Sequence, residues 1–313
     1  TYNNKEIIIV DNASTDNSIH IIKNKYPNIS IISCKKNNGY AGGCNIGANK
    51  ANGKYLVFLN NDTTQIPGWL EPLVDYLEHN LNIASVQPKI LNYENNNLFD
   101  YAGACGGEID FLCFPFAKGR IFNTIEIDKK QYDKSNNIFW ASGTGFITRR
   151  NIFMQSKGFD ELLFAHMEEI DYHWKCHLQN YSVSVEPKSI IYHKGGKTLS
   201  YESPQKTYLN HRNSFILLLT NYNMLLSLIL FLPRLSFEFI AILKELISFR
   251  LLHSIAIIKS ILWILSHPYQ LVKKRVRMKS IRKISDKDLL KKIYKFSIVI
   301  SYFVLGKKTY NKL

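Results

Sequence analysis

Two short apolar runs, EIIIV at residues 6–10 and YLVFL at 55–59, each stop at a cluster of polar side chains: Asp11-Asn12 after the first and Asn60-Asn61-Asp62 after the second. Aliphatic and β-branched runs of five favour strands, and Asn and Asp end strands by hydrogen-bonding nearby backbone. Residues 14–26 then read as a helix capped by Ser14, Thr15 or Asp16. A second strand is expected at Ile29 to Ser33 and a further helix at 69–80. Strand, polar loop and helix in succession predict an open α/β sheet, in which ligands bind beyond the carboxyl ends of the strands. The polar loops are therefore expected to converge on one crevice.

A chain of 313 residues with 46% hydrophobic content can hold one full core and an appendage. The net charge of +15 invites a nucleic-acid reading. Its distribution argues otherwise, because residues 1–205 carry 20 basic and 21 acidic side chains and residues 206–313 carry 20 and 4. The basic character belongs to the tail, where it is interleaved with aliphatic bulk, so no nucleic-acid partner is expected. The boundary expected from composition separates a domain at 1–205 from a helical, basic region at 206–313. The five cysteines lack CxxC spacing, which suits reduced thiols in the cytosol.

Single residues carry alternatives. Asp11 can accept a hydrogen bond from a base or a ribose, or make an Asx turn. Gly39, Gly42, Gly43 and Gly47 let backbone approach a ligand closely, but their spacing fits neither a P-loop nor a dinucleotide fingerprint. Asp62 could bind a divalent cation bridging two phosphates, or cap the next helix. Glu168, Glu169 and Asp171 crowd three carboxylates into four residues, which can raise one of them toward the range of a general base, or form a solvated acidic face paired with Lys175. His173 and His177 have zinc spacing without a third ligand. His193 follows a strand-like segment and could reach a metal or phosphate. Trp140 is a stacking platform for a sugar or a core residue.

The segments IIIVDNASTDNS, NNGYAGGCNIG, YLVFLNNDT, FWASGTGFITRRNIF, KGFDELLFAHMEEIDYHWK and IIYHKGG, in that order, resemble the family 2 glycosyltransferases of GT-A fold, especially bacterial rhamnosyltransferase-like members. The resemblance runs from about Glu6 to Thr198. It implies a Rossmann-like mixed sheet flanked by helices, and inverting transfer of a sugar from a nucleoside-diphosphate donor. By position, Asp11 and Asn12, with Gly39, Gly42, Asn45 and Asn61, would bind the donor. Asp62 and His193 would hold Mg²⁺ or Mn²⁺. Glu169 would be the base, with Asp171 as its alternative, and Trp140 and Glu168 would face the acceptor. Asn60 replaces the first acid of a strict Asp-x-Asp, Glu169 replaces an aspartate, and Lys175 replaces a common arginine. The family's first strand and helix are expected to precede residue 1.

Phe215 to Leu232 and Phe237 to Leu265 are apolar, but polar residues interrupt the first and five charges interrupt the second. An interfacial arrangement is expected, with Lys273, Lys274, Arg275, Arg277 and Lys279 near anionic headgroups of the inner leaflet. That places the protein on the cytoplasmic face of the membrane, beside a glycan or lipid-linked acceptor. The rival readings are a sugar nucleotidyltransferase and a non-catalytic carbohydrate-binding protein that keeps the fold.

Overall fold

A computed structural model describes residues 2–195 and 203–313. Gly196 to Thr198, the last residues of the family resemblance, lie outside them. Strand β1 (Ile8–Asp11), helix α1 (Ser18–Lys25) and strand β2 (Ser30–Ser33) form the first unit, with β1 and β2 parallel. The glycine-rich segment follows as helix α2 (Gly39–Lys50), not as a loop. Its glycines serve packing: a side chain at Gly47 would press on Val10 of β1, and one at Gly43 would press on Asn12. Removing Cβ lets helix and strand approach closely, and this pays the helix-propensity cost of glycine.

Strand β3 (Tyr55–Leu59) and β4 (Thr63–Gln65) precede α3 (Leu70–His79), and β5 (Ile83–Asn92) is buried along nearly its whole length. Four short strands, β6 (Gly107–Ile109), β7 (Pro115–Ala117), β8 (Arg120–Ile121) and β9 (Thr124–Ile125), build a small antiparallel sheet. Then come β10 (Asn136–Ile138), β11 (Gly145–Arg149), α4 (Arg150–Gln155), α5 (Glu168–Leu178) and β12 (Ser182–His193). The central sheet has the order β10-β12-β5-β11-β3, with β4 also on β12. β12 and β5 run parallel, while β11 is antiparallel to both of its neighbours, so the sheet is mixed. β3 thus lies in a different sheet from β1 and β2, and the expected mixed sheet is built around β5, β11 and β12. Phe58, Phe146, Phe153 and Phe159 fill the space between this sheet and α5, with ring centroids about 5 Å apart.

Helices α6 (Pro204–Asn221), α7 (Met224–Ile247), α8 (Leu251–Ser266), α9 (Pro268–Ile281) and the short α10 (Asp286–Leu289) follow. The composition boundary falls at the start of α6, but the apolar core crosses it: Phe139, Trp140 and Trp174 pack in one cluster with Phe215, Leu218, Ile264 and Ile293. The long apolar stretch is broken by a turn at Ser248 to Arg250, with Phe249 in the left-handed region. Only part of the basic run faces outward. Lys274 is buried, Arg275 donates to the Tyr222 carbonyl and the Ser227 hydroxyl, and Arg277 stands 3.6 Å from Asp160. Lys273 and Lys279 are exposed.

Lys274 of α9 reaches Asp160 at 2.9 Å and Asp171 of α5 at 2.6 Å, and Lys175 lies 3.1 Å from the other oxygen of Asp171. Burial alone would raise both carboxyl pKa values, but Lys274 and then Lys175 more than offset it and hold both below the ordinary range. Their contribution to stability is therefore present above about pH 4 and is lost as pH falls through that depressed range. Lys274→Met leaves two buried carboxylates short of a counter-charge and is expected to lower the unfolding free energy at pH 7 by about 3–5 kcal/mol. Urea denaturation checks this.

Candidate active site

A cleft of about 2310 Å³ opens where the loops after β1 and β3, the start of α2, the segment before α5 and the first turns of α6 meet. The expected convergence of polar loops therefore holds even though the strands belong to two sheets. At its first end, Asn12 ties β1 to α2: its amide donates to the Gly39 carbonyl at 2.9 Å and its oxygen accepts from the Asn38 amide at 2.9 Å. Asp11 makes the Asx turn, accepting from the Ser14 amide at 2.9 Å. That amide hydrogen bond is the main reason its carboxyl sits below the usual range. Asn12, Gly39 and Asn61 line the cleft, whereas Asp11, Gly42 and Asn45 are not among its lining residues. Asn45 instead clamps the segment before α5, donating to the Phe159 carbonyl at 2.9 Å and accepting from the Phe159 amide at 2.9 Å.

Asp62 and His193 come together because β12 pairs with β4, one residue beyond Asp62. His193 Nε2 lies 3.2 Å from Asp62 and Nδ1 lies 3.0 Å from Asp100. Burial alone would lower the imidazole pKa, but the hydrogen bond to Asp100 and the charges of both aspartates more than offset it and raise it above the ordinary value. Sequence reading missed Asp100, which falls in an irregular stretch with no periodic signal. Among the described residues no group of three or more His, Cys, Asp or Glu side chains could hold a metal. Asp62 and His193 Nε2 can still supply two ligands, with Asp100 orienting the ring through Nδ1. A Mg²⁺-type ion commonly takes one or two carboxylates and completes its shell with phosphate oxygens and water, so Asp62 suits it, while the imidazole nitrogen favours a transition-metal ion such as Mn²⁺ over Mg²⁺.

On another wall, α5 begins with Glu168 and Glu169, both lining the cleft. One carboxylate oxygen of each is buried without a hydrogen-bond partner. Burial raises the Glu169 carboxyl to about 7, against the opposing pull of backbone amides that include Gly143. The Glu168 carboxyl is also pushed well above its ordinary value, by burial first and by repulsion from Glu169 second. Asp171 does not line the cleft, since it faces Lys274 and Lys175 inside the protein. The expected acidic cluster therefore divides, with two acids at the cavity and one in an ion-pair network. His173 and His177 are core residues, bonded to the Ala141 amide at 3.3 Å and the Phe139 carbonyl at 2.8 Å.

The segment leading into α5 is strained, with Phe164, His166 and Met167 all at positive φ. Such residues cost on the order of 1–3 kcal/mol each and persist only where surroundings over-determine them. Here α6 does so. Arg212 donates to the carbonyls of Leu162 and Leu163, and Asn213 donates to those of Leu163, Ala165 and His166. The Ala41 amide of α2 holds the Phe164 carbonyl at 3.1 Å. This Arg-Asn clamp was also missed, because two polar residues at the edge of an apolar helix carry no distinctive pattern. Trp140 is nearly buried, with Gly107 against its ring and its indole N–H donating to the Glu108 carbonyl at 2.8 Å, yet it borders the cleft.

The chain belongs to glycosyl transferase family 2, whose sequence profile matches residues 1–156. It is 22% identical over 227 residues to an N-acetylglucosaminyl-diphospho-decaprenol L-rhamnosyltransferase of Mycobacterium tuberculosis, covering 68% of this chain and 74% of that protein. It is 38% identical over 89 residues to an uncharacterized glycosyltransferase of Haemophilus influenzae, where the match spans only 28% of either chain. Its fold is similar to that of GalNAc-T7 solved with UDP, GalNAc and Mn²⁺, with a TM-score of 0.51 and 17% identity, over 66% of this chain and 41% of that one. The mixed sheet with flanking helices is thus of the GT-A kind.

Asp100→Asn removes the carboxylate that offsets burial at His193. In metal-free protein the imidazole pKa, followed by NMR titration of the ring, is expected to be lower in the variant than in the wild type.

Proposed function

We propose that the protein is an inverting glycosyltransferase that moves a sugar, rhamnose by family resemblance, from a nucleoside-diphosphate donor to a glycan or lipid-linked acceptor of cell-surface polysaccharide. The observation that carries this reading is Glu169, a cleft-facing carboxylate at the head of α5 with an unpartnered oxygen and a pKa of about 7. A base serves best when its pKa lies near the working pH. Glu169 takes the proton of the acceptor hydroxyl as that oxygen attacks the anomeric carbon and the bond to the diphosphate breaks. Glu168, whose carboxyl burial pushes well above its ordinary value, can in its protonated form donate a hydrogen bond to an acceptor hydroxyl, and Trp140 borders the same space. Asn12, Gly39 and Asn61 lie where the nucleotide would enter. Asp62 and His193 would hold Mg²⁺ or Mn²⁺, which would supply positive charge to the leaving diphosphate.

The helical region fits the inner membrane surface. α7 is the one unbroken helix among the described residues long and apolar enough to cross a bilayer, and α8 with α9 would make a second only as a pair bent by 73°. Arg234 and Glu238 of α7 are turned inward, leaving Leu228, Leu232, Ile240 and Ile247 outside. With exposed Leu251, Leu252, Leu262 and Leu265 of α8 they form an apolar surface flanked by Lys244, Lys259 and Lys273. Such a surface can lie in the lipid interface near anionic headgroups.

Glu169→Gln is expected to cut transfer on the order of 10²–10⁴-fold while nucleotide binding by calorimetry stays within about twofold. Wild-type kcat/KM should rise with pH through an apparent pKa near 7, because the deprotonated form is the active one. Asp62→Ala should abolish any dependence of donor release on Mn²⁺. Undiminished transfer by Glu169→Gln would refute the assignment of the base, and nucleotide binding without turnover in the wild type would favour a binding protein.

A further inference from the structure

The strained turn into α5 carries one side chain that the chemistry above leaves without a role. His166 lines the cleft two residues before Glu168, and its backbone has φ 66°. A left-handed φ favours glycine and, less strongly, asparagine, so an imidazole at this position costs free energy that the clamp from α6 has to offset. The ring gains no hydrogen bond in return, since Nε2 is buried and has no partner among the described residues. A polar atom shut off from water and left unbonded adds its own desolvation cost to that of the backbone. Two such costs at one residue beside a pair of acids call for a partner that arrives with the substrate.

The position of His166 says which substrate. The Phe164 carbonyl is held by the Ala41 amide of α2, on the nucleotide wall, whereas the carbonyls of Ala165 and His166 turn to Asn213 of α6. The charge of Lys206, also on α6, is close enough to the ring to act on it, adding to burial, the larger cause, in lowering the imidazole pKa to about 4. His166 therefore belongs to the α6 side of the cleft, away from Asn12 and Gly39. With that pKa the ring is neutral at neutral pH and too weak a base to take the proton of a hydroxyl, yet a neutral imidazole still offers one donor and one acceptor.

We propose that His166 contacts the acceptor, with Nε2 hydrogen-bonded to one of its sugar hydroxyls so that another hydroxyl is held in line with Glu169. This rests on the transferase reading above and adds a specificity determinant to it. An acceptor with no hydroxyl in reach of Nε2 leaves that nitrogen unpaired, and a site built around a hydrogen bond rejects such an analogue more strongly than it rejects a small change of apolar bulk.

The test uses the backbone against the side chain. Glycine suits a left-handed φ, so His166→Gly removes the imidazole while relieving the strain, and its Tm in detergent is expected to be no lower than that of wild type. The full chain is assayed for transfer from a panel of UDP- and dTDP-sugars to a total lipid extract of bacterial membranes at varied dilution. In His166→Gly the apparent kcat/KM for the extract should fall on the order of tenfold or more, while the donor KM and the calorimetric affinity for UDP or dTDP stay within about twofold of wild type. His166→Asn, which accepts a left-handed φ and keeps a donor and an acceptor, should recover part of the loss. Wild-type transfer by His166→Gly would overturn the contact, because only the backbone of the residue would then matter. Loss of transfer together with a lower Tm, both restored by His166→Asn, would make the role structural and overturn it as well. A raised donor KM with unchanged dependence on the extract would place the contact on the donor instead. Wild type that transfers nothing from any donor would count against the transferase reading itself, which keeps the two failures apart.

Discussion

The ammonium of Lys274 is the point on which the two halves of the chain depend. It comes from α9, near the end of the helical region, and sits between Asp160, in the loop before α5, and Asp171, on α5 itself. A buried cation between two carboxylates is costly to desolvate and costlier to break, so its worth is in fixing geometry more than in adding stability. Asn221, the last residue of α6, donates to the same Asp171 oxygen at 3.1 Å. The helix that presents Glu168 and Glu169 is thereby held from behind by side chains 50 and 103 residues beyond Asp171.

A second tie acts from the front. Arg212 and Asn213 bind successive carbonyls of the strained segment that turns the chain into α5. Without those donors, the carbonyls of Leu162, Ala165 and His166 would lose these partners and the left-handed residues would be free to relax. The helical region is therefore structural to the acid pair, whatever it does at a membrane.

Much of this could be read from the sequence, and the failures have physical causes. Tyr55 to Leu59, the helix over 69–80, and the convergence of Asn12 with Asn60 to Asp62 on one cleft follow from local rules: apolar runs make strands, and Asn and Asp end them. The glycine-rich segment lines the cleft at Gly39, Gly43 and Gly47, but its helix could not be foreseen, because glycine signals freedom locally while at Gly43 and Gly47 it answers a tertiary demand for closeness to β1. Asp171 could not be separated from Glu168 and Glu169 by spacing, since its partner Lys274 lies 103 residues away. Asp100 and the Arg212-Asn213 clamp were invisible for the same reason, as each acts on chain distant in sequence.

The imidazole between Asp62 and Asp100 has one further consequence. With both ring nitrogens facing carboxylates, Nε2 can carry a proton or face a cation, but not both at once. Occupancy by one excludes the other, so a divalent ion held at this wall of the cleft would compete with acid for a single lone pair. Asp100 tilts that competition in two directions, since it stabilises the imidazolium and also makes the neutral ring a better donor of electrons.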